Sequence, residues 1–428
     1  MYKSFQKSVV LTLALLSGYS GMQAYGETDP GLKRKSSPGV ALTSNELRKN
    51  SPQMKPMAAV SEDQNVFRAS VLYTDSWETN GSYEFGIYQF PTSGSYSSTP
   101  VYCNPSFDAT AGATLIGDGR YFWTQYTQMY GYTFLDHFIA PIDDWASFER
   151  FTGNELAISR ELAWDHVTET LYGCFRGEDG SGWALATIDP DNLEAKPVFI
   201  AKLDERWNAM SFDRVGRLYA ITESGKLCSV DKYTGKVTEI GDTGLLSRYN
   251  TCGAINFADN KFYFVPVNDE HTYLYTIDLA TAEVTPLYMM EDGEQLAGMY
   301  FPVASPDDTA PAKAKGVNVT VDHATMTGQV TFTAPATTFG GQTLQGELGY
   351  KVLANDKLVA EGKTSAGASV TADIAVSDAG DYAFEVVIDN AAGKSESAWA
   401  TAYVGADAPA AVERVDMLTI GDRIILSW

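Results

Sequence analysis

Histidine and cysteine are scarce in this 428-residue chain, with four residues of each. His137, His166, His271 and His323 fall in no H-x-H or H-E-x-x-H spacing, so zinc hydrolase chemistry has no motif to rest on. Cys103, Cys174, Cys228 and Cys252 include no C-x-x-C pair. That spacing excludes a zinc ribbon and a dithiol redox motif. One or two disulfides stay open, beside a reading of Cys174 and Cys228 as small buried strand residues. A P-loop, a G-x-G-x-x-G fingerprint and a G-x-S-x-G elbow are also missing, and no cofactor or metal is expected. Basic charge is short too: 31 Lys and Arg face 54 Asp and Glu, a net charge of −23. Such a balance excludes nucleic acid and anionic membrane surfaces as partners.

Long apolar runs are absent after the start of the chain. Lys3 and Lys7 precede a short apolar stretch, Val9 to Leu16, and Ala24-Tyr25-Gly26 offers small residues for cleavage. Residues 1–26 therefore read as a signal peptide, too short to span a bilayer core that needs about 20 apolar residues. The expectation is an exported protein with no membrane insertion. Residues 27–65, rich in Ser, Pro, Lys and Asn, read as a flexible leader.

What is abundant is aromatic and turn-forming: 8 Trp, 24 Tyr, 20 Phe and 37 Gly, a composition for β-structure. Three segments repeat. LAWDHVTETLYGCF (162–175), MSFDRVGRLYAIT (210–222) and AINFADNKFYFVPV (254–267) each lead to a second hairpin. Tyr172, Tyr219 and Tyr263 recur at spacings of 47 and 44, and Asp189, Asp231 and Asp278 at 42 and 47. Four short strands per period describe a β-propeller blade. Weaker copies lie at 112–137 and 67–102, the latter without a first strand, which QLAGMYFP (295–302) can supply from the far end. The reading is an all-β chain whose residues 66–302 form a propeller of five blades, with six as the alternative. Residues 141–160, with Trp145, fit no blade strand on this reading.

Residues 303–311 read as a linker, and 312–405 alternate in short strands as a β-sandwich does. Gly380-Asp381-Tyr382-x-Phe384-x-Val386, with Asn390-x-x-Gly393-x-Ser395, resembles the end of a fibronectin type III domain. The resemblance implies that Tyr382 is a tyrosine corner, while Phe332 stands where such domains place a core Trp. Residues 406–428, ending in Ile424-Ile-Leu-Ser-Trp428, resemble the start of a second such domain, so the chain reads as a piece of a longer protein. The layout is similar to secreted multidomain surface proteins of the Bacteroidetes. That likeness implies a periplasmic, secreted or outer-surface location in a Gram-negative bacterium.

Chemistry is sparse. Asp189-Pro-Asp191-Asn192 and Glu178-Asp179-Gly180 could offer calcium oxygens, but both fall where turn chemistry already explains them. Six of the Trp lie in the repeats, and Trp77, Trp123, Trp183 and Trp207 are the candidate ligand platform, since sugar rings stack on aromatic faces. Packing inside the blades accounts for them equally well. The leading expectation is a monomeric, non-enzymatic binding protein whose propeller takes a glycan, or an extracellular protein or peptide, with the sandwich as spacer. A propeller glycosidase or lyase is the alternative, to be recognised by carboxylates converging at one channel mouth. A spacer without a ligand is the third reading.

Overall fold

The computed structural model describes residues 65–75, 84–104, 111–117, 119–129, 132–153, 159–177, 180–268, 271–302, 306–406, 416–420 and 423–427. Residues 1–64, on which the signal-peptide and leader readings fall, Trp77, Glu178, Asp179, residues 303–305 and Trp428 lie outside the described residues. Two compact units divide between Ser305 and Pro306.

The first unit is an all-β, five-bladed propeller. Its first blade holds β1 (Val66–Tyr73), β2 (Gly86–Pro91) and β3 (Thr99–Cys103). The second holds β4 (Ala113–Leu115), β5 (Arg120–Met129), β6 (Tyr132–Pro141) and β7 (Glu149–Gly153). The third holds β8 (Ser159–Asp165), β9 (Thr170–Arg176), β10 (Trp183–Ile188) and β11 (Val198–Leu203). In the fourth are β12 (Trp207–Phe212), β13 (Leu218–Thr222), β14 (Lys226–Val230) and β15 (Val237–Asp242). The fifth comprises β16 (Cys252–Asn256), β17 (Lys261–Val265), β18 (Tyr273–Asp278) and β19 (Val284–Met289). Strand β20 (Gln295–Tyr300) then pairs antiparallel with β1 and completes the first blade.

Composition sorts strands by radius. Inner strands such as CGAIN and QLAGMY are buried at every position, whereas the outer VTEIGD is exposed or half-exposed throughout. A strand covered on both faces needs a continuous apolar run. Neighbouring blades clasp five separate apolar cores, one per gap, including the gap between the fifth blade and the first. Leu296 and Met299 enter that last core while Ala297 and Tyr300 enter the core between blades one and two. Closure thus buries both faces of β20, at about 1.5–3 kcal/mol for each large side chain. Gly298 (φ +61°) is needed there: a Cβ would lie 2.0 Å from the Tyr121 hydroxyl. That hydroxyl donates to the Gly298 carbonyl at 2.9 Å.

Residues 141–160 are placed by the second blade. They supply its outer strand β7 and the start of β8, and Trp145 is buried, stacked on Tyr102 at 5.8 Å.

The second unit is a β-sandwich. Its strands are β21 (Lys315–Asp322), β22 (Thr327–Thr333), β23 (Glu347–Ala354), β24 (Lys357–Ser365), β25 (Ser369–Ala375), β26 (Gly380–Asn390), β27 (Gly393–Lys394) and β28 (Ala398–Val404). One sheet runs β21-β22-β25; the other runs β24-β23-β26, with β27 and β28 also on β26. Phe332, Val352, Phe384 and Val386 fill the core between them. The linker reading of 303–311 needs correction at its second half. Ala310 is fully buried, Phe339 donates its N–H to the Ala310 carbonyl, and Pro311 bridges Thr338. The backbone from Asp308 onward is built into the sandwich, because it offers acceptors that the 338–340 turn needs. Beyond, Asp416–Ile420 and Arg423–Ser427, β29 and β30, pair as a hairpin.

Candidate functional site

Each innermost strand (β4, β8, β12, β16, β20) follows the outermost strand of the blade before it and leaves through a hairpin, apart from β20, whose neighbour β1 lies far back in sequence. The five therefore run the same way around the channel, and their first residues gather at one mouth. At the opposite end, buried turn acids are fully occupied. Asp165 accepts the Val167 N–H at 3.0 Å and the Thr168 hydroxyl at 2.6 Å and pairs with Lys232. Asp213 accepts the Arg217 N–H at 2.8 Å and its Nε at 2.8 Å. The outer-turn acids are equally local. Asp231 accepts the N–H groups of Tyr233 and Thr234, Asp278 those of Ala280 and Thr281, and Asp189 that of Asp191. These bonds hold the Asp231 and Asp278 carboxyls below the usual carboxylate range. Turn chemistry accounts for all of them.

The mouth where the inner strands begin is different. Arg160, Glu161, Asn208, Glu294 and Gln295 sit there, all essentially buried. Arg160 Nη1 pairs with Glu161 Oε1 at 3.3 Å, yet its Nε and Nη2 have no partner among the described residues. Both polar atoms of Asn208, Oε2 of Glu294 and Oε1 of Gln295 are likewise unpartnered. Burial pushes the Glu161 carboxyl up to about 8, against the pull of Arg160. Burial, helped by Glu291, pushes Glu294 up to about 8 as well. The Arg160–Glu161 pair acts electrostatically on Cys174 in its own blade and on Cys252 two blades away. Arg206, buried beside β12, extends a guanidinium nitrogen to Glu223 at 3.3 Å.

The aromatic candidates do not form one platform. Trp123 is 3% exposed and stacks on Phe138 at 4.7 Å in the core between blades one and two. Trp207 is 1% exposed in the core between blades three and four. Neither offers a face to a sugar; packing has claimed both. Trp77 lies outside the described residues. Trp183 is buried too, 7% exposed in the core between blades three and four, but among the described candidates it is the one with an edge on open space. With Gly177, Ser181, Phe199, Ile200 and Lys202 it lines a shallow cleft of about 530 Å³ on the outer half of blade three. Arg176 lies over the Trp183 ring, 4.5 Å from its centroid.

All four cysteines are free thiols, and they sit in different blades. Burial raises the pKa of each. His137 is buried, its Nδ1 3.0 Å from the Leu193 carbonyl oxygen, and desolvation lowers its pKa to about 4. Among the described residues no group of three His, Cys, Asp or Glu could hold a metal ion, and no helix is long and apolar enough to cross a membrane.

Sequence reading missed the channel-mouth residues, although a signal existed. Counting five residues back from the turn residues Asp165, Asp213 and Asn256 reaches Arg160, Asn208 and Thr251, polar groups in or just before apolar strands.

No protein-family model matches the chain, and no curated protein matches it. Among solved structures it is similar to TolB from Acinetobacter baumannii, 11% identical, covering 79% of this chain and 67% of that one, TM-score 0.34. It is similar to the surface component PorZ of the Porphyromonas gingivalis type-IX secretion system, 11% identical, covering 75% and 42%, TM-score 0.27. The extracellular domain of BT3049 from B. thetaiotaomicron is 11% identical, covering 83% and 57%, TM-score 0.28. Likenesses this low carry nothing about ligand or activity.

Proposed function

We propose that this chain is an exported, monomeric, non-enzymatic binding protein of a Gram-negative cell surface or periplasm, taking a glycan in the blade-three cleft. The observation that carries the reading is the cleft itself, about 530 Å³, where Trp183, Phe199 and Ile200 meet Ser181 and Lys202. Apolar rings and side chains suit the CH faces of a sugar, while a hydroxyl and an ammonium suit its oxygens. The sandwich acts as a spacer of the fibronectin type III kind. Supporting that kinship, the Tyr382 hydroxyl donates to the Asp378 carbonyl at 2.9 Å, the bond of a tyrosine corner. Lys3, Lys7 and the apolar stretch after them support export.

The non-enzymatic part has a physical support. Glycoside hydrolysis needs one ionised and one protonated carboxyl side by side. Burial pushes Glu161 and Glu294 in the same direction, both up to about 8, so the two are not held apart as an acid and a base are.

The test is a glycan array with the full chain, followed by calorimetric titration of the best hit. Lys202→Ala and Trp183→Phe, the latter keeping a ring in the core, should each weaken binding about tenfold, near 1.4 kcal/mol. Unchanged affinity in both variants, or capture of peptides with no glycan retained, would overturn the reading.

A further inference from the structure

The tryptophan of the blade-three cleft offers a sugar no open face, since Trp183 is buried and Arg176 lies over its ring. Blade four supplies such a face. Tyr233, in the turn between β14 and β15, is 70% exposed, and the next most exposed aromatic among the described residues is Phe339 of the sandwich, at 37%. The fold does not ask for an aromatic there. Two residues after the turn acids Asp189 and Asp278, blades three and five carry Asp191 and Ala280 where blade four carries Tyr233. Left in water, the ring contributes little burial to folding.

The ring is nevertheless held. Asp231 accepts the Tyr233 N–H at 2.9 Å and the Thr234 N–H at 3.1 Å, and the Asp231 carbonyl accepts the Gly235 N–H at 2.7 Å. Lys232, paired with buried Asp165 and donating to the Gly216 carbonyl at 3.1 Å, sets its ammonium 5.4 Å from the centroid of the Tyr233 ring. A cation over one face steadies a ring and leaves the other face to a ligand. The same turn is seated on the cleft strand. Gly235 (φ +70°) packs on Ala201, which lines the cleft, so closely that a Cβ would lie 2.2 Å from the Ala201 Cβ. Tyr233, two residues earlier in that turn, stands on the blade-four side of β11.

The surroundings of the ring select the kind of ligand. Asp231, Thr234 and Lys236 beside it are exposed and polar. One aromatic side chain offers about 150–250 Å², far short of the roughly 800 Å² that each partner buries in a specific protein interface. A single ring among polar groups matches the CH face of one sugar unit, whose hydroxyls then meet the polar rim.

We infer that Tyr233 is the stacking platform of this site and that the ligand is an oligosaccharide, one unit lying on Tyr233 and a neighbouring unit in the cleft beside Ser181 and Lys202. The assignment rests on the glycan reading of the cleft and adds that the site crosses from blade three to blade four, so that a chain of sugars is selected over a single one.

The experiment probes the full chain with trisaccharides of glucose, xylose, mannose, galactose and N-acetylglucosamine and with the five monosaccharides, followed by calorimetric titration of the trisaccharide retained best. That trisaccharide should bind at least tenfold more tightly than its monosaccharide. Tyr233→Ala should weaken it about fivefold to tenfold with the melting temperature unmoved, whereas Tyr233→Phe, which keeps the ring, should bind as the parent does. Loss of affinity in Lys202→Ala with none in Tyr233→Ala would overturn the platform and leave the cleft reading standing. Equal affinity for the monosaccharide would overturn the selection of a chain. Retention of no sugar by the parent would overturn this assignment together with the glycan reading.

Discussion

The two ends of the inner propeller strands bury charge to the same degree and treat it in opposite ways. At the hairpin end, Asp165 and Asp213 are buried and surrounded by donors, from their own turn backbone, from Thr168 and from Lys232 and Arg217. At the starting end, Arg160, Asn208 and Glu294 are buried with bonding atoms left over. A turn brings its own N–H groups around an Asp side chain. A strand start beside a narrow channel brings none. Burial alone therefore does not say how well a buried polar group is satisfied; completeness of its hydrogen bonding does.

The sharpest way to break this contrast is Asp165→Ala. Lys232 would lose its buried partner and the 165–168 turn its acceptor, and removing one member of a buried pair costs about 3–5 kcal/mol. Urea denaturation of the full chain should show the propeller transition shifted down by that order, with the sandwich transition unmoved. A loss below about 1 kcal/mol, the range of a surface pair, would mean that the hairpin end is no better satisfied than the other.

Glu294→Gln probes the starting end with the opposite sign. The folded protein holds the Glu294 proton up to about pH 8, while an unfolded chain sheds it near 4.5. Folding therefore takes up a proton between those values, and the contribution of this group to stability falls as pH rises across that window. A glutamine has no proton to lose and keeps an oxygen for the Tyr96 hydroxyl, now 3.3 Å from the carboxylate. The variant should match the parent near pH 4 and exceed it at pH 8 by about 2 kcal/mol. Full separation is worth more, at about 1.4 kcal/mol per pKa unit, but relaxation around an ionised carboxylate recovers part of it. A variant less stable than the parent at pH 8 would contradict the assigned burial.

The smallest effect sharpens the comparison from outside the propeller. Among described residues the sandwich buries only the hydroxyls Thr338 and Ser395 as polar side chains, with no charge at all. Tyr382→Phe removes the bond to the Asp378 carbonyl and should cost about 0.5–1.5 kcal/mol. Calorimetry should place that loss entirely in the sandwich transition. A shift in the propeller transition would show that the two units do not unfold independently.

Much of the propeller was legible before any coordinates. Tyr172, Tyr219 and Tyr263 marked the second strand of three blades, and QLAGMYFP stood out as an orphan strand because the first repeat lacked one. It became β20, paired with β1. The tryptophans were less legible. Trp123, Trp183 and Trp207 look alike in sequence, each in or beside a strand, but a residue's exposure depends on the neighbouring blade. Blade one covers Trp123 with Tyr102, Ala297 and Tyr300, whereas the outer half of blade three leaves space beside Trp183.

The sequence by itself determined the period, the alternation of apolar inner and polar outer strands, and the turn acids, because each depends on residues close along the chain. Hairpins and Asx turns are local structures, and local chemistry specifies them. Only the tertiary structure decided which polar groups would be stranded. Arg160 on β8, Asn208 on β12 and Glu294, just before β20, are 48 and 86 residues apart in turn, and only the closed ring brings the starts of those strands to one mouth. Ring closure removes water from that mouth, and loss of water turns three ordinary polar side chains into groups with unpaid hydrogen bonds.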